Sequence, residues 1–349
     1  MADLSHLRSP TVEAIDRAYA EDQRRAKALR LSPGDLANEC ERAVQYKFRW
    51  AYESEAFTGA MLRMFSSMKI AELGIITGLK RAGLTVYDLD EASGRGFSAT
   101  AVGGHLYAKI DAVASRVPEA PAKMHFVKAK SFKEKSFRAL KKDGVALARP
   151  DHYALSQVVM HAEGLERTLY VGHNRNDDDL FVERIRYDVL DATKLMAKAE
   201  RIVTEPQLLP KAHDDPTSKA AFRCGYCPAR HVCHGGAWAP RNCRTCLHST
   251  PALDGNGRWY CERHNVDLSR EDQESGCASH LYIPDLVPGR QIDASSAEEW
   301  VDYEIADGEI WRDGGNDEGL TAPKGILSAA AHADPEASFE DEFDDEVPF

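Results

Sequence analysis

The sequence predicts an α/β protein with a mixed central sheet, followed by a metal-stapled module and an acidic tail. Three observations carry this. Helix-length periodic stretches alternate with short β-branched runs up to about residue 204. Cysteines and glycines replace that periodicity across 222–281. Beyond about residue 290 acidic residues accumulate. The 349 residues are enough for roughly two or three domains, and 43% hydrophobic residues can fill a real core. No run of eighteen apolar residues occurs, which argues against a membrane span. The start, MADLSHLRSPTVEA, lacks a basic-then-apolar leader, so a cytoplasmic protein without a membrane partner is expected. In such a compartment the eight cysteines read as thiol ligands of a metal or cluster before they read as disulfides.

The elements follow in order. Residues 11–30 form a polar, peripheral helix after Pro10, the main feature of an N-terminal segment 1–29. A second helix is expected over 32–50, capped by Ser32 with Pro33 at its first position. A long helix runs from about Glu55 to Arg81 and stops at Gly83. Strands follow at LTVYDL, FSATAV, GHLYAKIDAV and KMHFVKAK. Helices are expected near 134–142 and 151–161, strands at TLYVGHN and LFVERIRYD, and a helix over 189–204. These elements make one domain, 30–235, and a cysteine-rich module fills 236–290. An acidic segment, 291–327, leads into an Ala-, Asp-, Glu- and Phe-rich tail, 328–349, expected to be disordered.

The net charge of −12 hides an asymmetry. Residues 298–319 and 334–346 carry −8 each and Lys324 adds one positive charge, so residues 1–297 hold a net +3. The body is mildly basic, and the acidic balance of the whole chain does not exclude nucleic acid as its partner.

Two cysteine constellations stand out. Cys224-x2-Cys227-x5-Cys233 is one ligand short of a site, and Cys40 is the one cysteine upstream that could complete it. Four thiolates suit a 4Fe–4S cluster or zinc; a zinc site of three cysteines closed by His231 or His234 is the alternative. Downstream, Cys243-x2-Cys246-x14-Cys261-x2-His264-x12-Cys277-x2-His280 has the spacing of a zinc ribbon. Six donors compete for four places. The four cysteines are the expected zinc ligands, with His264 and His280 in reserve, and a segment so poor in apolar residues needs the metal to fold.

The order of these features resembles a family. Cys40, an acid on a long helix (Glu72), Asp111 ending the strand GHLYAKID, Lys-Ala-Lys at 128–130, HYALSQVVM at 152–160 and the C-x2-C-x5-C run follow the layout of the RecB-like nucleases of the PD-(D/E)XK superfamily. The resemblance is greatest to the CRISPR-associated and phage exonucleases that carry a 4Fe–4S cluster. It spans roughly residues 30–235 and is strongest from Phe126 to Tyr187. It implies a restriction-endonuclease-like core and a 4Fe–4S cluster on Cys40, Cys224, Cys227 and Cys233. It also implies Mg2+- or Mn2+-dependent phosphodiester hydrolysis, with Asp111 holding metal, Lys130 orienting the attacking water and Glu72 assisting.

The pattern departs from the family at three places. Where the family has a Glu two residues before the Lys, this chain has Lys128. Residues 128 and 130 share one side of a strand, so a cation stands where a divalent ion needs a hard anion. The family's Gln-x3-Tyr falls on Leu155 and Val159, with Gln157 between them. The sequence therefore reads as a nuclease fold that has lost or weakened hydrolysis. It would hold DNA, single-stranded or at ends, through Lys128, Lys130, Lys133, Lys135 and Gln157, with Arg138, Lys141 and Lys142 beyond. An active metal-dependent DNA exonuclease is the alternative.

The last residues, FEDEFDDEVPF, resemble the acidic tip of bacterial single-stranded DNA-binding proteins. That resemblance implies docking on replication, recombination or repair proteins of a phage or its bacterial host. Phe349 would fill an apolar pocket, Pro348 would restrict the bound shape, and Asp344 and Asp345 would face a basic rim. A decoy of the host single-stranded DNA-binding protein, acting through this tip, is a third reading.

Overall fold

The computed structural model describes residues 9–22, 27–54 and 56–315. The tip residues Asp344, Asp345, Pro348 and Phe349 lie outside them. The chain opens with α1 (Pro10–Asp22). The expected single helix over 32–50 is broken in two. Ser32 caps a short 3-10 turn, Pro33–Ala37, by a reciprocal capping box with Asp35. The chain then runs extended at Asn38, whose side chain accepts a hydrogen bond from the Cys40 amide at 2.9 Å, and α2 (Glu41–Phe48) starts after Cys40. An Asn side chain that takes a backbone amide competes with helix formation, which is why the helix restarts there. The long helix α3 (Gly59–Arg81) is capped by Thr58, and Gly83, at φ +88°, turns the chain out of it.

The strands are β1 (Thr85–Tyr87), β2 (Ser98–Ala101), β3 (Leu106–Lys109), β4 (Ala112–Ser115) and β5 (His125–Phe132). Helices α4 (Glu134–Ala148) and α5 (Pro150–Glu163) follow, then β6 (Arg167–Asn174), β7 (Leu180–Arg186) and α6 (Val189–Thr204). A five-stranded sheet runs in the order β1-β4-β5-β6-β7. Only β5 and β6 pair in parallel; the other pairs are antiparallel, so the central sheet is mixed, as expected. Every residue of β5 is buried, as befits a central strand covered on both faces. Val127 and Ala129 pack with Ile75 and Ile76 of α3, while Phe126 packs with Leu155 and Val159 of α5.

The segment GHLYAKIDAV is not one strand. β3 pairs with β2 in a separate hairpin, and β4 joins the main sheet between β1 and β5. Ile110 and Asp111 are the crossover between the two. That break sets Asp111 at the margin of the sheet, beside β5.

After α6 the chain is irregular through a 3-10 stretch, Lys219–Tyr226, and the short α7 (Arg230–Cys233). The cysteine-rich module holds β8 (Ser249–Pro251), β9 (Trp259–Cys261) and β10 (Val266–Leu268) as a three-stranded antiparallel sheet, then α8 (Arg270–Ser275). The acidic segment holds more order than its composition predicts. β11 (Arg290–Ser295), β12 (Trp300–Glu304) and β13 (Ile310–Gly314) form an antiparallel sheet. Its acids alternate with Val301 and Tyr303, which pack into a core with Trp238, Tyr282 and Trp311.

The cysteine-rich stretch packs against the elements near the start of the chain. Trp259 is fully buried, with ring centroids 5.0 Å from Phe48 and 5.9 Å from His105. Arg244 lies over Trp50 at 3.8 Å and donates to the carbonyls of Phe48 and Leu29. Gly104, at φ +84°, brings the β2–β3 turn so close that a Cβ there would stand 2.5 Å from the Gly257 amide nitrogen.

Candidate nucleic-acid site and cysteine clusters

Four of the residues singled out in the sequence converge at the margin of the central sheet. Glu72 projects from the middle of α3, Asp111 from the crossover between β3 and β4, and Lys128 and Lys130 from alternate positions of β5. The Asp111 carboxylate accepts from the Ala129 amide at 3.3 Å, which holds the crossover against β5. Lys128 Nζ stands 3.7 Å from Asp111 Oδ2, and Lys130 Nζ stands 3.5 Å from Glu72 Oε1. A third ammonium, which the sequence did not single out, joins them. Lys69 Nζ lies 3.1 Å from Glu72 Oε2 and 3.8 Å from Asp111 Oδ1. Its signal was available: Lys69 and Glu72 are three apart on one helix and must share a face. Lys128 and Lys130 are 6% and 7% exposed, whereas the Lys69 side chain is 43% exposed. The two carboxylates are therefore shared among three ammonium groups, and the net charge of the cluster is positive.

Behind it lies His152, fully buried on α5. Arg149 donates to His152 Nε2 at 3.1 Å, and Nδ1 lies 2.6 Å from the Tyr170 hydroxyl. A guanidinium only donates, so Nε2 is the lone-pair nitrogen and Nδ1 carries the proton toward Tyr170. Burial, followed by the positive charges of Arg149, Lys130 and Lys128, pushes the imidazole pKa well below its ordinary value and keeps the ring neutral.

The other predicted residues sit apart. Lys133 and Lys135 flank the start of α4, half-buried and exposed. Next to them a cleft of about 490 Å³ is lined by Glu134, Phe137, Arg138, Lys141, Lys142, Asn174, Asp177 and Asp179. Lys141 pairs with Asp179 at 2.8 Å and Arg138 pairs with Glu134, so the cleft balances three cations with three acids. Gln157 is fully buried. Its amide nitrogen donates to the Arg186 carbonyl at 2.9 Å and its oxygen accepts from the Asp188 amide at 2.8 Å, fastening α5 to the β7–α6 connection.

The first cysteine group closes a large sequence gap. Cys40 precedes α2, Cys224 and Cys227 lie at the end of the 3-10 stretch, and Cys233 ends α7. The thiol of Cys227 is raised in pKa by burial first and then by the charges of Cys40, Cys233 and Cys224. The four thiols therefore lie close enough to influence one another's charge. Burial also raises Cys233 and lowers the pKa of His234.

The second group surrounds a void of about 10 Å³, roughly the space of one water, lined by Cys243, Cys246, Cys261, Cys277, His248, His264 and His280. Burial and then the neighbouring Cys246, Cys277 and Cys261 push the Cys243 thiol up to about 12. Cys243 Sγ donates to the Asp272 carbonyl at 3.1 Å, and Cys277 Sγ lies 3.7 Å from His264 Nε2. His280 is engaged elsewhere, with Nε2 3.2 Å from the Thr245 hydroxyl. His248, whose Nε2 is buried without a partner, was not picked out from the sequence, because it stands outside the C-x2-C and C-x2-H pairs. As placed, no group of three or more His, Cys, Asp or Glu among the described residues has the geometry to hold a metal ion. The donor chemistry of both cysteine groups suits a thiophilic ion.

No family model matches the sequence, and no curated protein matches it. Solved structures do. The chain is similar to SSO0001, with 16% identity and a TM-score of 0.37 over 65% of this chain and 97% of that one. It is also similar to the alkaline exonuclease LHK-Exo of Laribacter hongkongensis, with 11% identity and a TM-score of 0.37 over 54% of this chain and 90% of that one. The same exonuclease in complex with dAMP gives 10% identity and a TM-score of 0.35. Among the described residues no helix is long and apolar enough to cross a membrane.

Proposed function

We propose that this chain is a DNA-binding protein of phage or bacterial recombination, replication or repair, built on a RecB-like nuclease fold that no longer hydrolyses DNA. One observation carries the reading. The carboxylates that would grip a divalent ion, Asp111 and Glu72, are already neutralised by Lys69, Lys128 and Lys130. Two-metal hydrolysis needs hard anions with spare negative charge, and the position that would supply the third acid is an ammonium. The cluster's surplus positive charge favours phosphate over metal, and phosphate contacts supply most of the affinity in sequence-independent DNA binding.

The cysteine groups supply two further parts of the proposal. Cys40, Cys224, Cys227 and Cys233 would hold a 4Fe–4S cluster that ties the α2 region to the segment after α6. Cys243, Cys246, Cys261 and Cys277 would hold zinc and order the module. Partner recruitment by the tip rests on the sequence FEDEFDDEVPF alone.

The test incubates the purified full chain with labelled single-stranded and duplex DNA at low salt, with EDTA, Mg2+ or Mn2+. The expected result is retention of DNA without cleavage under every condition. Absence of retention refutes the DNA-binding reading. Metal-dependent degradation that disappears in Asp111→Ala replaces it with the active exonuclease.

A further inference from the structure

Phe222 and Tyr226 form an edge-to-face pair with centroids 5.1 Å apart, yet they are 67% and 53% exposed. They sit on the 3-10 stretch that contains Cys224, and their ring contact sets them side by side on its surface. Large exposed aromatic pairs need a reason, because covering such surface is favourable. Their surroundings are basic. The segment that carries them, residues 216–240, contains Lys219, Arg223 and Arg230 and no Asp or Glu, in a chain whose net charge is −12. Lys219, Arg223 and Arg230 are exposed, as is Lys211 just upstream. Arg223 reaches Glu39 only at 3.8 Å, with both side chains at least 70% exposed, a pair too weakly held to cancel it. The nearest acids in sequence are Asp214 and Asp215 at the upstream edge.

We infer that Phe222 and Tyr226 are a stacking platform for the bases of single-stranded DNA, whose phosphates run along Lys219, Arg223 and Arg230. The chemistry selects the ligand. Aromatic rings accept bases only when those bases are free of a partner strand, and cations beside the rings take the backbone. Duplex DNA keeps its bases stacked internally and would meet only the cations. The inference rests on the DNA-binding reading above and adds strandedness and a place to it. It also gives the Cys40–Cys224–Cys227–Cys233 centre a role as the anchor of the platform, since Cys224 lies between the two rings in sequence.

The test compares full-length wild type with the Phe222→Ala/Tyr226→Ala pair by fluorescence anisotropy, using a labelled oligo(dT) and a duplex of equal length over a salt series. The double variant is expected to bind oligo(dT) about 10- to 100-fold more weakly, since stacking is worth roughly 1–3 kcal/mol per base. Its salt slope and its duplex affinity stay those of wild type. Lys219→Ala/Arg230→Ala is expected to lower the oligo(dT) salt slope by up to about 1.4, because each lost phosphate contact on a single strand removes about 0.7. Phe222→Leu/Tyr226→Leu keeps apolar bulk without the π-faces and guards against local misfolding; it is expected to lose oligo(dT) affinity like the alanine pair. Wild-type affinity for oligo(dT) in either aromatic variant overturns the platform alone, with DNA binding intact. Wild type that binds neither DNA overturns the DNA-binding reading and the platform with it.

Discussion

Replacing Lys128 by Glu should turn a site that repels divalent cations into one that binds them. Lys128 Nζ stands 3.7 Å from Asp111 Oδ2 and its side chain is 7% exposed, so it cannot swing away into solvent. At about 4 Å and an effective dielectric near 20, two unit charges interact by about 4 kcal/mol, so an ammonium opposes a divalent ion on Asp111 by about 8 kcal/mol. A carboxylate in its place attracts by a similar amount. Halving the combined swing for solvent screening still leaves about 8 kcal/mol, more than five orders of magnitude in affinity at 1.4 kcal/mol per decade. Lys69 remains, but its half-exposed side chain can leave the site. Without metal, Lys128→Glu sets two carboxylates against each other and should melt below wild type. Mn2+ should then raise its melting temperature in a concentration-dependent way while leaving wild type unmoved. Calorimetric titration with Mn2+ and incubation with linear DNA complete the assay. A folded Lys128→Glu protein that neither binds Mn2+ nor gains thermal stability from it would refute the electrostatic reasoning, as would wild type binding Mn2+ equally well.

Other outcomes are expected. Asp313 on β13 accepts from the Tyr282 amide at 2.6 Å, and burial pushes its carboxyl up to about 6 from the ordinary 3.8. A raised folded-state pKa means that its stabilising contribution is complete below pH 3.8 and lost as pH rises through 6. That is about 3 kcal/mol, so Asp313→Asn should flatten the denaturation-midpoint profile over this window and stabilise the protein at pH 7. Metal analysis of anaerobically purified protein should find iron that Cys40→Ala removes, with brown visible absorption, and zinc that Cys261→Ser removes; either metal persisting in its variant would reassign those ligands. Deleting residues 340–349 should abolish capture of replication or repair proteins while leaving DNA retention unchanged, and capture that survives the deletion would place recruitment elsewhere.

The central fold was largely legible in the sequence because its elements carry strong local signals. Pro150 opens α5, Asp188 caps α6, and β5 and β6 carry β-branched and aromatic residues on either side of the helix pair α4–α5. The break at Ile110–Asp111 was not legible, because Leu106 to Val113 alternates like one strand and only tertiary pairing sends β3 and β4 to different sheets. The sheet β11–β13 was hidden by its acids. Its inward positions, Val301 and Tyr303, are too few to outweigh the surrounding charge in a compositional reading, although the period of two is present. At the site, the resemblance to the nuclease layout singled out Asp111, Lys128 and Lys130 together, and spacing alone showed only that residues 128 and 130 share one side of a strand. Lys69 carried a helical signal too, three residues before Glu72, and was passed over because the nuclease layout has no lysine at that place to look for. The exposed Phe222–Tyr226 pair had no sequence signal at all, because exposure is not a local property.

The arrangement around Asp111 also separates two ways of holding DNA. A metal-dependent nuclease bridges carboxylate and phosphate through its divalent ion, so a chelator removes both binding at the scissile point and cleavage. Here Lys69, Lys128 and Lys130 outnumber Glu72 and Asp111, and His152 behind them is held neutral, so the surplus positive charge is built from side chains alone. Binding that relies on such ammonium groups releases counterions from DNA and weakens steeply with salt, yet is indifferent to EDTA at fixed ionic strength. Single-stranded DNA retention by the full chain should therefore survive EDTA added after the cysteine-bound metals are loaded, and fall by an order of magnitude or more as salt is raised from about 50 to about 200 mM. Rapid loss of retention on adding EDTA, with the iron and zinc content unchanged, would mean that a labile divalent ion bridges this protein to DNA after all.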